Sequence, residues 1–456
     1  MQKTADIGKT EQHSPTAPEF SEEWLALRFA ERHAGDLRYV AEWGKWFRWT
    51  GNRWAEEKTL YVFDLARVLC REESIRYGAH SNKPSVAKTL ASAKTRAAVV
   101  SLVREDRRIA ATIDQWDTDL WLLNTPGGVV DLRTGTLRPH RPEDYMTKIT
   151  AVEPNGDCPL FMDFLNSITA GDKELQAYLQ RAFGYALTGS VEEHALFFGY
   201  GTGSNGKSTL MNTASHVLGD YYSAASIDTF IISSGDRHPA DLAALRGARL
   251  VVTSETEEGR RWAEVRIMQL TGGDPVSARF MRQDYFTYHP QFKLFFVGNH
   301  KPGLRTVNVA VRRRFNLIPF NVVIPAQDRD KKLPNKLRKE WPGILAWMIQ
   351  GCLEWQKVGL KPPECVVKAT DEYLAAEDII GAWIEDCCVR DPQAHTSTRT
   401  LFASWKPWAE QAGQLPASER WLAGKLEDTG FRRERVKQER GFWGLRLRKG
   451  DELPLG

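Results

Sequence analysis

Residues 201–208 read Gly-Thr-Gly-Ser-Asn-Gly-Lys-Ser and fit the spacing G-x-x-x-x-G-K-[ST] at every fixed position. The apolar run ALFFGY precedes them and the helix-compatible run STLMNTASHVL follows. A strand, a glycine-rich turn and a helix start, in that order, wrap backbone N–H groups around an anion. The helix end adds its positive partial charge. This one feature calls for an α/β domain with a buried parallel sheet. It assigns Gly201, Thr202, Gly203, Ser204, Asn205, Gly206, Lys207, Ser208 and Thr209 to the phosphates of a purine nucleotide. Lys207 would reach the β- and γ-phosphates, and Ser208 would ligate Mg²⁺.

Such a loop needs an acid at a neighbouring strand end to hold the metal and order the attacking water. The run RLVVTSE supplies Glu255, with Glu257 and Glu258 just beyond. A third run, FKLFFVG, ends at Asn299, whose side chain can sense the nucleotide state. These runs and FNLIPF are short and continuously apolar, as strands buried on both faces are. Before FNLIPF stand Arg312, Arg313 and Arg314. Three adjacent arginines ahead of a buried strand call for something anionic: a neighbour's γ-phosphate, DNA, or solvent on a basic turn. Spacing leaves these three open.

The 456 residues suggest about three domains at roughly 150 residues each. No apolar run approaches the ~18 residues of a membrane span. The polar start, MQKTADIGKTEQHSPTAPEF, reads as a disordered tail (1–20) without a signal peptide's apolar stretch. A membrane or secreted protein is not expected. Six scattered cysteines without a C-x-x-C fit a reducing cytoplasm. The net charge of +4 says little, but from Phe431 to Lys449 there are eight basic residues against two acidic ones. In EWGKWFRWTGNRW, aromatics flank a Gly-Asn turn, predicting a hairpin with a small aromatic core; VVDLRTGTL predicts another. The chain divides into a mainly helical domain over 21–190, the α/β domain over 191–325 and a helical segment over 326–390. A C-terminal unit follows over 391–456. Two helices and a basic hairpin there suggest a winged helix, with Pro407 kinking the first helix. Arg433, Arg435, Arg446 and Arg448 on that hairpin are candidate DNA contacts.

In this order the motifs resemble a superfamily-III helicase of the AAA+ class. The resemblance is nearest to the helicase half of phage and plasmid primase-helicases and of the poxvirus primase-helicase. GYGTGSNGKSTL resembles the first motif, LVVTSETEEG the second, QLTGGDPVSARFMRQD a family-specific stretch, FFVGNHKP the sensor and RRRFNLIPF the arginine-finger strand. The segments WLLNTPGGVVDLRTGTLRPHRPEDYMTKIT and CPLFMDFLNSI resemble the helical domain upstream.

The resemblance implies an ATP- and Mg²⁺-dependent helicase acting on single-stranded and forked DNA. It would work as a homo-oligomeric ring, nominally a hexamer, moving 3′→5′. Glu255 would be the metal and water acid, Asn299 the sensor, and Arg314 the finger acting on a neighbour, with Arg313 in reserve. A pore hairpin would carry Arg279, Arg282 and Gln283. The family's paired acids are replaced by Ser254-Glu255. Only about 35 residues precede the matched region, too few for a polymerase fold. Priming is thus not expected, and a separate primase or host replication proteins would be partners. A phage, prophage or plasmid origin and a host-cell cytoplasmic location follow from the same resemblance. The competing expectation is a DNA-bound AAA+ switch or loader that does not unwind processively.

Overall fold

The computed structural model describes residues 17–81, 83–232, 240–254, 259–281, 284–304, 307–412, 418–436 and 439–449. The chain divides into two compact units: residues 1–118 with 139–148, and residues 119–138 with 149–456.

The first unit opens with α1 (Glu22–His33), capped by Ser21. Strands β1 (Leu37–Val40), β2 (Lys45–Trp49), β3 (Trp54–Glu56) and β4 (Ala110–Ala111) form a sheet in the order β3-β2-β1-β4. Helices α2 (Tyr61–His80), α3 (Pro84–Leu90) and α4 (Ala93–Val103) lie between β3 and β4. The predicted Gly-Asn hairpin is β2–β3. Its aromatics are core: Trp54 is fully buried beside Phe47 and Trp116, and its indole N–H donates to the Pro142 carbonyl at 2.8 Å.

In the second unit, β5 (Leu122–Thr125), β6 (Gly128–Asp131) and β7 (Thr136–Arg138) make a meander, including the predicted turn at Thr134-Gly135. Helices α5 (Pro159–Ile168) and α6 (Lys173–Leu187) follow, then β8 (Leu196–Tyr200) and α7 (Lys207–Leu218). Next come β9 (Tyr222–Ala224), α8 (Ala240–Ala243), β10 (Leu250–Ser254) and α9 (Glu264–Gly272). A hairpin of β11 (Val276–Ala278) and β12 (Phe286–Tyr288) leads to β13 (Lys293–Gly298), α10 (Val309–Arg312) and β14 (Phe315–Pro319). The five-stranded parallel sheet runs β14-β8-β13-β10-β9.

Alternate residues of its strands feed two cores. Phe197, Val252, Phe295 and Ile318 face one cluster with Phe183 and Leu210, whereas Phe198, Val251, Phe296 and Leu317 face another with Ile267 and Leu374. Both faces are covered, which is why each strand reads as an unbroken apolar run.

Helices α11 (Leu333–Arg338), α12 (Trp341–Val358) and α13 (Glu364–Glu377) complete these cores. Helix α14 (Ile379–Cys387), β15 (Cys388–Ser397), α15 (Thr398–Gln411), α16 (Glu419–Asp428), β16 (Arg432–Val436) and β17 (Glu439–Leu447) end the described chain. They share a separate cluster of Trp383, Trp405, Leu422 and Phe442.

Two expected boundaries move. Helices α5 and α6 belong to the sheet's core and not to an upstream domain over 21–190: Phe183 stacks on Phe295 with centroids 5.2 Å apart. Helix α14 packs with the C-terminal elements, so their core begins before residue 391. Helix α15 runs through Pro407 as a single element. No helix among the described residues is long and apolar enough to cross a membrane.

Candidate functional site

Strand β8 ends at Tyr200 and α7 begins at Lys207, so the turn between them sits at the sheet's carboxyl edge. Its glycines answer specific constraints. A Cβ at Gly201 would collide with the Phe320 carbonyl and the Asn205 carboxamide. Gly206 holds φ +80°, and a Cβ there would run into Ile168 on α5. The turn is tied to the chain after β14: the Phe320 N–H donates to Tyr200 O at 2.8 Å and the Ile324 N–H to Ser204 O at 2.9 Å.

Lys207 is 5% exposed. Its ammonium donates to Gly201 O and Asn205 Oδ1 at 2.9 Å each, and reaches Asn299 Oδ1 at 3.5 Å. Asn205 is itself pinned, its amide donating to Phe320 O at 3.0 Å. All three acceptors are neutral, and burial holds the ammonium below the usual lysine range. A buried cation among neutral oxygens at a helix start is an arrangement whose charge an anion would balance. Ser208, beside it in the first turn of α7, is exposed and so free to act as a metal ligand.

The strand order brings Asn299 to Lys207. Because β13 lies between β8 and β10, Asn299 at its end stands next to Lys207. Ser254 ends β10 opposite Val297 in register. Glu255, Glu257 and Glu258 lie outside the described residues, as do Arg282 and Gln283.

Arg314, expected to reach a neighbour, is buried. Its Nε donates to Thr271 Oγ1 at 3.1 Å and its Nη1 to Ala310 O at 2.8 Å, joining α9 to α10 inside its own chain. Burial, and then the Arg313 charge beside it, lower its pKa. Arg313 is the exposed member of the pair. Arg314 is thus bonded to its own helix ends, whereas Arg313, the residue held in reserve for the finger, points to solvent.

On the β11–β12 hairpin, Phe280 is 43% exposed and stacks on Phe286, and the Arg279 guanidinium lies 4.7 Å over the Tyr285 ring. The C-terminal arginines are less free than their sequence suggests. Arg446 approaches Asp391 at 3.7 Å, Arg433 approaches Glu427 at 3.5 Å, and Arg448 donates to Glu385 O at 2.6 Å. Of the four candidate contacts, Arg433 and Arg435 are exposed and Arg446 and Arg448 half-buried, with Arg435 facing Arg440 across the hairpin.

Sequence reasoning missed a network behind Asn299. Trp262 Nε1 donates to the Tyr373 hydroxyl at 3.0 Å, and that hydroxyl donates to Pro302 O. The Trp262 N–H donates to Gly303 O at 3.0 Å, and Glu377 accepts the Leu304 N–H at 2.7 Å. Helix α13 thus clamps the loop that follows Asn299. Tyr373 and Glu377 are far from that loop in sequence, and no local spacing marks them.

Comparison with known families and structures agrees with this layout. Residues 26–170 match a family described as D5 N-terminal-like, and residues 199–314 match a family described as of unknown function. A protein of Acanthamoeba polyphaga mimivirus, named as a presumed helicase, is 25% identical over 423 residues, which is 82% of this chain and 44% of that protein. Another so named, from Invertebrate iridescent virus 6, is 28% identical over 315 residues, 60% of this chain and 32% of its own. The chain spans less than half the length of these relatives. Two apo structures of the NrS-1 C-terminal region share the fold with TM-scores of 0.51 and 0.52 at 9% and 10% identity. They cover 92% and 93% of this chain and 98% and 99% of the solved chains. The chain is thus similar to the D5 N-terminal-like family over residues 26–170 and to viral proteins named as presumed helicases, and it shares the fold of the NrS-1 C-terminal region.

Proposed function

We propose that this chain is an ATP-dependent DNA helicase of superfamily III, built on a P-loop AAA+ core with a winged-helix-like C-terminal unit. The observation that carries the reading is the buried Lys207 ammonium, held among neutral oxygens and touching Asn299 from the adjacent strand. The helicase names of the viral relatives favour the same reading.

Gly201 to Gly206 would enclose the phosphates, and Lys207 would neutralise charge developing between the β- and γ-groups. Ser208 and Glu255 would hold Mg²⁺, which supplies charge neutralisation across the transferred phosphoryl group. Asn299 would orient the attacking water. Arg313 of a neighbouring subunit would complete the site, making a ring the working form. The β11–β12 hairpins would face the pore, with Arg279 and Arg282 on the DNA backbone and Gln283 nearby. Movement 3′→5′ on single-stranded DNA is the direction this reading assigns.

The deciding experiment is strand displacement on forked duplexes with ATP and Mg²⁺, run beside Lys207→Ala. Unwinding of 3′-tailed substrate by the parent alone is expected. Hydrolysis without displacement on either tail would overturn the helicase reading in favour of a DNA-bound switch or loader.

A further inference from the structure

Between Glu73 and Glu105 the sequence contains no aspartate or glutamate, yet it carries Arg76, Lys83, Lys88, Lys94, Arg96 and Arg104. In a chain with 58 acidic residues, this stretch forms one structural piece of the first unit: the end of α2, then α3 and α4. The two shorter helices are joined through Ala91 and Ser92, and the joint is fixed. The Ser92 N–H donates to Thr89 O at 2.9 Å, Thr95 Oγ1 donates to the same carbonyl at 2.8 Å, and Ser74 Oγ reaches back to Ala87 O at 2.6 Å.

The cations fall into two groups. Arg76 is spent on Glu73 and Glu19, Arg96 donates to Ser92 O at 3.4 Å, and Arg104 lies over the Tyr39 ring. Lys83, Lys88 and Lys94 are exposed, and none has an ion-pair partner among the described residues.

Their surroundings define the kind of partner. Ser85 and Ser101 are exposed on the same two helices and offer hydroxyl donors, whereas the exposed Thr89 hydroxyl donates to Ser85 O at 3.0 Å. Along α4 the exposed stripe is Ala93, Ala97, Ser101 and Arg104, with Lys94 beside it, so small side chains let a partner come close to the helix. Ile75, on the α2 part of this stretch, is a large exposed apolar side chain, as is Leu60 elsewhere in the unit; neither has a counterpart among the described residues of α3 and α4. A surface of ammonium and hydroxyl groups without carboxylates, aromatic platforms or apolar anchors suits a polyanion's phosphates and not its bases or a bilayer's interior.

We infer that the α3–α4 face is a second DNA-backbone contact, independent of the motor and indifferent to sequence. It would hold DNA through about three phosphates, one for each unpartnered lysine.

The test is the salt dependence of binding by the full, nucleotide-free chain, comparing the parent with a variant carrying Lys83→Ala, Lys88→Ala and Lys94→Ala. Fluorescence anisotropy on a duplex and on a single strand, each across a range of KCl, gives the log–log slope. Losing three contacts should flatten that slope by about 2.7 on duplex, at roughly 0.9 per phosphate, or by about 2.1 on a single strand. The substrate showing the loss identifies which form the face holds. The corresponding triple Lys→Arg variant should keep the parent slope. Slopes unchanged on both substrates would overturn the inference, as would a loss confined to vesicles containing anionic lipid. Because the titration needs neither hydrolysis nor unwinding, failure of the helicase reading leaves this outcome readable, and the reverse also holds.

Discussion

Lys207 carries a charge that its own surroundings do not neutralise, since its three partners are a carbonyl and two carboxamides. Burial lowers its pKa, so between the folded value and the ordinary lysine value the unfolded chain binds the extra proton. The stability of the nucleotide-free chain therefore rises as pH climbs through that interval, and a bound polyphosphate removes the dependence. Lys207→Met should leave the free chain at least as stable, erase the thermal shift given by an ATP analogue, and cost about 10²–10³ in hydrolysis. Melting curves at two alkaline pH values, with and without the analogue, check all but the rate. The two neighbouring arginines separate in the same manner. Arg314→Ala strips a buried charged donor from Thr271 and Ala310 and should cost about 1.5–3 kcal/mol in urea denaturation. Arg313→Ala should leave denaturation unchanged while lowering ATPase by about 10³ or more and poisoning mixed rings. If mixed assemblies keep the activity of their parent subunits, no finger acts between them. The strand, glycine-rich turn and helix start from β8 to α7 were legible because their conformation depends on adjacent residues. The split between Arg313 and Arg314 was not, because consecutive residues at a helix end differ only in direction.

At the scale of elements, the loop after Asn299 is held from outside by α13. Tyr373→Phe removes the hydroxyl that accepts from Trp262 and donates to Pro302. It should cost about 1–2 kcal/mol of stability. The more telling effect is kinetic: turnover should fall while the KM for ATP holds, since the cradle around Lys207 is untouched. Equal changes in both would mean that Tyr373 only supports the core. The parallel strands were readable as continuous apolar runs, and the two predicted hairpins as turn residues between alternating runs. The placement of α5 and α6 was not, because an apolar helix face does not say which sheet will cover it. Strand β15 also escaped notice. It contains Pro392 and changes register between Asp391 and His395, features tolerated at an edge, and it does lie at the edge of its sheet.

At the scale of the whole molecule, the division into two units has a measurable consequence. Heating should give two transitions, with an ATP analogue raising only the one that belongs to residues 119–138 and 149–456. A single transition moved as a whole would mean that the units melt cooperatively. Chain order adds a matter of timing. Strand β8 pairs with β13 and β14, both of which follow it by roughly ninety residues or more. At about 5–20 residues per second, a ribosome that has delivered β8 needs on the order of 5–20 s to deliver its first partner. Through that interval an apolar segment with two open edges must be shielded by helices already made, such as α6, or by a chaperone. A stalled or truncated message ending in that window would release a product with its most adhesive strand bare.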